Sequence, residues 1–260
     1  MIEHVYRRAA QARGVDAVVV ATDDARIAAA VERFGGIVRM TAPAHRTGTD
    51  RIAEIARGLA CDIVVNVQGD LPLVEPEMIA QVVAPLNADA SLPMATICTR
   101  LTDPEEYARS SVVKVVVDRK GQALYFSRAP IPYIAHRGPA ETGRYAESPE
   151  AGRDGGAPDV EPGPGRTLAS VSRTFKHIGM YAYRRDFLLV FAALPQTPLE
   201  QAESLEQLRA LEHGYDIRVV ETQYESIEVD TPDDLERVRR LIAHRSALIA
   251  DAGAQAATRV

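Results

Sequence analysis

The chain has 260 residues, 46% of them hydrophobic and 25% charged, with a net charge of -6, the balance of a globular protein large enough to bury a full core. An acidic chain with no basic field is not built for polymeric nucleic acid or an anionic membrane, so an anionic ligand must be met by a few local Arg or Lys residues or by a metal. The two cysteines, Cys61 and Cys98, read as reduced buried thiols, and no apolar leader or run near the ~18 residues of a membrane span is present, which predicts a cytoplasmic protein.

In chain order, Ile2, Val5, Tyr6, Ala9 and Ala10 recur at helical spacing and Gly14 supplies a stop. A strand is predicted over 16–21, then a helix over 25–34 capped by Thr22 or Asp23 and ended by Gly35-Gly36, and a short strand over 37–40. Thr49 opens a helix to Leu59, which leads into Ile63-Val64-Val65-Asn66-Val67-Gln68-Gly69-Asp70. Its apolar run does not alternate with polar residues, so it reads as a strand buried on both faces and ending at Asp70. Alternation of strand and helix argues for a parallel, helix-covered sheet forming one α/β domain over 1–250.

A helix from Pro76 to about Leu86 precedes a strand over 94–100, and Pro104 starts a short helix. Residues 112–117 and 122–126 flank Asp118-Arg119-Lys120-Gly121, a β-hairpin pattern that makes the sheet mixed. From 135 to 165 the composition turns to Gly, Pro, Glu and Arg, which predicts a mobile insertion. Order is expected to resume with a strand over 177–183, a helix over 185–193, one longer helix from Leu199 to His213, a strand over 217–221 and a helix from Pro232 to about Ile249; residues 251–260 read as a frayed tail.

Asp70 falls at the carboxyl end of a strand, where open α/β sheets bind ligands, and a carboxylate there suits a hard cation holding a phosphate; standing alone, the motif reads more readily as an Asp in a strand-to-helix turn. Asp230, in Val229-Asp230-Thr231-Pro232, is placed in the same way, although Asp230 or Thr231 would also cap the helix that follows. Two carboxylates from different strand ends can share one Mg²⁺, which keeps several waters and takes substrate phosphate. The loop Arg46-Thr47-Gly48-Thr49-Asp50-Arg51 offers small residues, a helix start and an arginine to an anionic or planar ligand. Arg128 could pair a substrate carboxylate bidentately or form a surface ion pair. On the predicted helix after Leu199, Leu205, Leu208 and Leu211 mark the buried face, with Glu206 and Gln207 at its margin, able to reach sugar hydroxyls. His177 and Tyr181 share one face of their strand and could form a polar wall.

Together, Ala21 to Asp24, Arg46 to Arg51, Asn66 to Asp70 with Pro72, Val113 to Val116, Ala123 to Tyr133, His177 to Tyr183, Leu205 to Arg209 and Val229 to Arg237 resemble the 3-deoxy-manno-octulosonate cytidylyltransferase family. The resemblance spans nearly the whole chain. It implies a Rossmann-like nucleotidyltransferase fold, a mostly parallel mixed sheet covered by helices with a hairpin-containing dimerisation subregion, and a homodimer. It also implies transfer of CMP from CTP to the sugar acid Kdo for lipopolysaccharide synthesis, with Mg²⁺ held by Asp70 and Asp230. Gln68, Arg128, His177, Tyr181, Glu206 and Gln207 would line the sugar side, Thr47, Gly48 and Thr49 the nucleotide side, and Arg51 would lie between. Members of the family begin with an apolar strand and a phosphate-binding loop ahead of the segment matching Met1-Ile2, so the comparison predicts an N-terminally incomplete domain of weak activity. A cytidylyltransferase for another acidic sugar, such as a sialic acid, and a non-catalytic nucleotide-binding relative are the alternatives.

Overall fold

In the computed structural model, residues 1–133, 174–225, 227–229 and 231–243 are described; the expected insertion and tail, and Asp230, lie outside them. The elements follow the order α1 (Ile2–Ala9), β1 (Val19–Thr22), α2 (Ala25–Arg33), β2 (Ile37–Met40), α3 (Gly48–Ala56), β3 (Ile63–Asn66), α4 (Pro76–Ala88), β4 (Met94–Arg100), α5 (Pro104–Ala108), β5 (Lys114–Val117), β6 (Ala123–Ser127), β7 (Phe175–Arg184), α6 (Arg185–Ala193), α7 (Pro198–Glu203), α8 (Gln207–Glu212) and β8 (Ile217–Glu221). A last helix, α9, runs over 232–243.

Caps account for several of these boundaries. Asp24, rather than Thr22 or Asp23, caps α2 by accepting from the Arg26 backbone N–H. Thr47 caps α3 by accepting from the Asp50 N–H, so that helix begins one residue before Thr49. Thr231 caps α9 in a reciprocal arrangement with Asp234, taking the cap that the sequence offered to either Asp230 or Thr231. The predicted hairpin forms as β5 and β6, closed by Gly121 at φ +80°, a conformation glycine adopts without strain.

Strands β1 and β2 pair in parallel as a sheet of their own, and the other six form a second sheet. β7 is its spine. One edge of β7 pairs antiparallel with β4, and the other is shared by β5 near Phe175 and by β3 near Tyr181 to Arg184. β8 adds in parallel to β4. The sheet is mixed, as expected, but antiparallel contacts are more extensive than the parallel pattern read from the sequence, because β7 runs against the shared direction of β3, β4 and β8.

Apolar clusters cover both faces. Val5, Leu71, Met78, Ile79, Val82, Ile97, Ile178 and Met180 build the layer under α1 and α4. Ala53, Met94, Phe126, Tyr183, Phe187, Leu188, Phe191 and Leu208 build the layer under α3, α6 and α8. Two expectations for residues 63–70 are corrected. The strand stops at Asn66, because Gln68 to Leu71 turns back with the Leu71 N–H on the Gln68 carbonyl, and Asp70 therefore sits on a loop beyond it. Its side chains do contribute to both clusters, yet Ile63, Val64 and Val65 are only half-buried, since β3 has a ladder partner on one edge alone among the described residues.

Candidate active site

The wall built by β7 depends on an irregularity in its pairing with β4. Thr96 lies opposite Tyr181, whereas its neighbour Ile97 lies opposite Ile178, so Gly179 and Met180 bulge out of the ladder. In a regular strand, residues four apart would be separated by about 13 Å. The bulge draws His177 and Tyr181 together until their ring centroids are 5.4 Å apart, with Phe126 edge-on to the imidazole at 5.0 Å. Thr96 reaches under both: its hydroxyl lies 2.8 Å from His177 Nε2 and donates to the Met180 carbonyl oxygen at 2.8 Å. Burial lowers the His177 pKa to about 3, so the ring is neutral near pH 7. Burial also raises Tyr181 well above the ordinary phenol range, with the Tyr183, Glu206 and Glu228 charges adding in the same direction.

Opposite this wall, the start of α3 meets the start of α8. The Thr49 hydroxyl donates to Glu206 Oε2 at 2.6 Å. Burial pushes the Glu206 carboxyl up, while the Thr49 and Thr47 hydroxyls and the Arg209 charge pull it back. Arg209 Nη2 is 3.8 Å from Glu206 Oε1 and 2.5 Å from Glu200 Oε1, and its guanidinium lies over the Phe191 ring at 5.4 Å. Both Arg209 and Glu200 are 5% exposed, a fully desolvated ion pair.

The single helix expected from Leu199 to His213 is two helices, broken at Ser204 with φ +52°. α7 starts at Pro198 with a capping box between Thr197 and Glu200. The break folds α8 back so that Arg209 can reach Glu200. It also buries Gln207, which the helical pattern put at the margin, and leaves its Nε2 without a hydrogen-bond partner among the described residues.

The Asp70 segment closes a third side. The Val229 N–H donates to the Asp70 carbonyl at 3.0 Å, which ties the approach to Asp230 onto the loop after β3. A Cβ built on Gly179 would lie 3.9 Å from both Gln68 Cγ and Glu228 Oε1, so the bulge, the β3 loop and the segment before α9 converge there. Arg51 bridges the carboxyl ends of β1 and β2, with Nη2 on Asp23 Oδ2 at 3.0 Å and Nη1 on Thr41 Oγ1 at 2.5 Å. Arg128 makes contacts within the fold. Its Nε donates to the Glu203 carbonyl and its Nη1 to that of Ser110, while its backbone N–H and the Ser127 hydroxyl both donate to the Glu203 carboxylate. These bonds fasten β6 to α7.

Of the residues expected on the sugar side, His177, Tyr181, Gln68 and Glu206 therefore come together, Gln207 is buried beside Glu206, and Arg128 is held in the scaffold. Thr49, expected toward the nucleotide, spends its hydroxyl on Glu206. The sequence reading missed Thr96, Tyr183, Glu203 and Glu228. Thr96 sits in an ordinary β-strand pattern, and only the pairing across to β7 shows what it holds. No group of three or more metal-ligating side chains gathers among the described residues; Asp70 carries one carboxylate, a hard oxygen donor, and Asp230 lies next to Val229 in sequence. A neutral imidazole, a phenol, a carboxyl pushed up by burial and a buried amide are hydrogen-bonding groups suited to a polyhydroxylated ligand rather than an apolar one.

Comparison with known proteins places this geometry. A cytidylyltransferase family model matches residues 1–218. The 3-deoxy-manno-octulosonate cytidylyltransferase of Geobacter metallireducens is 50% identical over 92% of this chain and 85% of its own length, and that of Syntrophotalea carbinolica is 53% identical over 92% and 86%. Among solved structures, a CMP:2-keto-3-deoxy-manno-octonic acid synthetase complexed with CTP superposes with a TM-score of 0.77 at 41% identity, covering 94% of this chain and 88% of that one. A 4-diphosphocytidyl-2C-methyl-D-erythritol synthase from Anaerococcus prevotii, at TM-score 0.53 and 12% identity over 93% and 88%, shares the fold alone.

Proposed function

The chain belongs to the 3-deoxy-manno-octulosonate cytidylyltransferase family, and from that we propose that it transfers CMP from CTP to Kdo, giving CMP-Kdo for lipopolysaccharide synthesis. The anomeric oxygen of Kdo attacks the α-phosphorus of CTP, the new O–P bond forms as the bond to the β-phosphate oxygen breaks, and pyrophosphate leaves. The observation that carries this reading is the approach of Gln68, Glu228 and Glu206 to the β7 wall at Gly179 and Tyr181, beside the Thr49–Glu206 contact and the Asp70–Val229 tie.

In this reading His177, Tyr181, Glu206 and Gln207 bind the sugar, with Gln68 beside the bulge. The neutral imidazole and the un-ionised phenol exchange hydrogen bonds with sugar hydroxyls without adding charge next to the substrate carboxylate. Gly48 and Thr47 at the start of α3, and Arg51 across the ends of β1 and β2, face the triphosphate. Thr49 positions Glu206, and Arg128 keeps the β6–α7 corner in place. The donor chemistry at Asp70, with Asp230 one residue beyond Val229, fits a hard divalent cation, and we assign Mg²⁺ to this pair. When bound, such a cation supplies charge neutralisation at the phosphates and a lowered pKa for the attacking hydroxyl. No helix among the described residues is long and apolar enough to cross a membrane, and CTP and a free sugar acid as substrates are in keeping with a cytoplasmic protein. A homodimer through the β5–β6 hairpin is in keeping with Leu124, which is 63% exposed on its outer strand.

The test is pyrophosphate release from CTP with Mg²⁺ and either Kdo or a sialic acid as acceptor. Release with Kdo and at least a hundredfold preference over the sialic acid is expected. CTP binding without turnover of either sugar would favour a non-catalytic relative, and preferential use of the sialic acid would overturn the Kdo assignment.

A further inference from the structure

The contact between Thr96 and His177 decides which imidazole nitrogen is protonated. A threonine hydroxyl has one proton. The Met180 carbonyl can only accept, and it lies 2.8 Å from Thr96 Oγ1, so that proton is directed to it. Toward His177, also 2.8 Å away, the same oxygen has only lone pairs to offer, and Nε2 must be the donor. The alternative arrangement, with Nε2 unprotonated, sets two acceptors against each other around one proton in a place where Thr96 is 0% exposed and no water can compensate.

We infer that Thr96 is a positioning residue that fixes His177 as the Nε2–H tautomer, so that Nδ1 is presented as a hydrogen-bond acceptor for a hydroxyl of the sugar substrate. The first half stands on the geometry of the free protein, and the second rests on the sugar-side reading proposed above. The low pKa of the imidazole keeps it neutral, so the tautomer is defined throughout the working pH range. A wrong tautomer would turn an acceptor into a donor and set two donors against each other when a hydroxyl approaches.

The experiment uses the full chain labelled with ¹⁵N-histidine and read by long-range ¹H–¹⁵N correlation near pH 7.5, with His177→Gln to identify the signal. Wild type is expected to show a protonated Nε2 and an unprotonated Nδ1. Thr96→Val, close in shape, should relax the ring to a mixture of tautomers and raise KM for Kdo by about tenfold with KM for CTP within twofold, and Thr96→Ser should restore both. An Nδ1–H ring in the wild type, or a Thr96→Val ring that stays wholly Nε2–H, overturns the inference. If the spectra behave as expected while KM for Kdo does not move, the substrate half is overturned and the tautomer assignment stands. If the wild type shows the Nε2–H ring but turns over no Kdo, the failure lies with the proposed function and not with Thr96.

Discussion

Two halves of the proposed site are held in opposite ways. On the side proposed to bind the sugar, His177, Tyr181 and Glu206 are held by the fold itself: a bulge in a central strand, a buried hydroxyl, packed aromatic rings and a desolvated ion pair surround them. On the side proposed to take metal and nucleotide, Asp70 is on a loop past the end of β3, and Arg51 crosses the ends of β1 and β2, which form a separate two-stranded sheet. In the proposed reading, the first half is prebuilt to hydrogen-bond sugar hydroxyls. The second stands on a loop and on strand ends rather than in a central strand, and bound charged ligands are expected to complete its geometry. Mutations should therefore trade off differently, reducing both stability and binding on the proposed sugar side but, on the other, affecting turnover or nucleotide binding with little change in stability.

The largest expected effect is Asp70→Asn, which should lower turnover by on the order of 10⁴-fold, about 5.5 kcal/mol, while the melting temperature moves little. Pyrophosphate release measured across a Mg²⁺ titration checks this, and turnover within tenfold of wild type would remove Asp70 from the chemistry. Next is Arg209→Met, which leaves Glu200 buried without its cation. A loss of about 3 kcal/mol is expected in urea unfolding, accompanied by weaker Kdo binding, because Glu206 loses the nearby positive charge. Full stability with normal Kdo binding in that variant would mean the sugar side is not prebuilt in the way described.

What the sequence could reveal divides along the same line. Helix and strand positions were legible wherever the signal is local: the spacing of Ile2, Val5 and Tyr6, the turn at Asp118 to Gly121, and the stretch from Met94 to Arg100 all form the elements their patterns indicate. Asp70 beyond a strand end and the proximity of His177 and Tyr181 were also within reach, though the sequence explained the latter only by shared face and not by a bulge. Three things were not legible, because each is decided by a partner distant in the chain. The β7 bulge exists only relative to β4. The break at Ser204 is favoured by Glu200 pairing with Arg209 across the turn. The recruitment of Arg128 depends on where Glu203 comes to rest. An arginine near a site reads the same in sequence whether it binds substrate or holds a corner.

A smaller effect concerns pH. In the unfolded chain the imidazole of His177 titrates near 6.5, and in the folded protein near 3. Between those values the unfolded state binds more protons, so stability rises with pH, and on acidification from 6.5 toward 3 it is lost at up to about 1.4 kcal/mol per pH unit from this residue. Comparing the pH dependence of urea unfolding for wild type and His177→Gln isolates the contribution, since the carboxylates common to both cancel. Equal slopes for the two proteins between pH 6.5 and 4.5 would show that His177 is not held neutral by burial.

The smallest effect on stability, and the sharpest test of the division, is Arg51→Lys. The Arg51–Asp23 pair is 19% and 37% exposed, a setting in which an ion pair contributes less than about 1 kcal/mol, so melting should shift by only a few degrees. Lysine is a point charge and cannot span Asp23 and Thr41 as the guanidinium does, so the two strand ends lose their bridge even though the charge remains. KM for CTP is expected to rise several-fold and KM for Kdo by less. Steady-state kinetics with each substrate varied in turn reads the ratio. A larger rise for Kdo would move Arg51 to the sugar side and erase the contrast between a prebuilt half and a ligand-set half, because one residue of the loosely held region would then be shaping the rigid one.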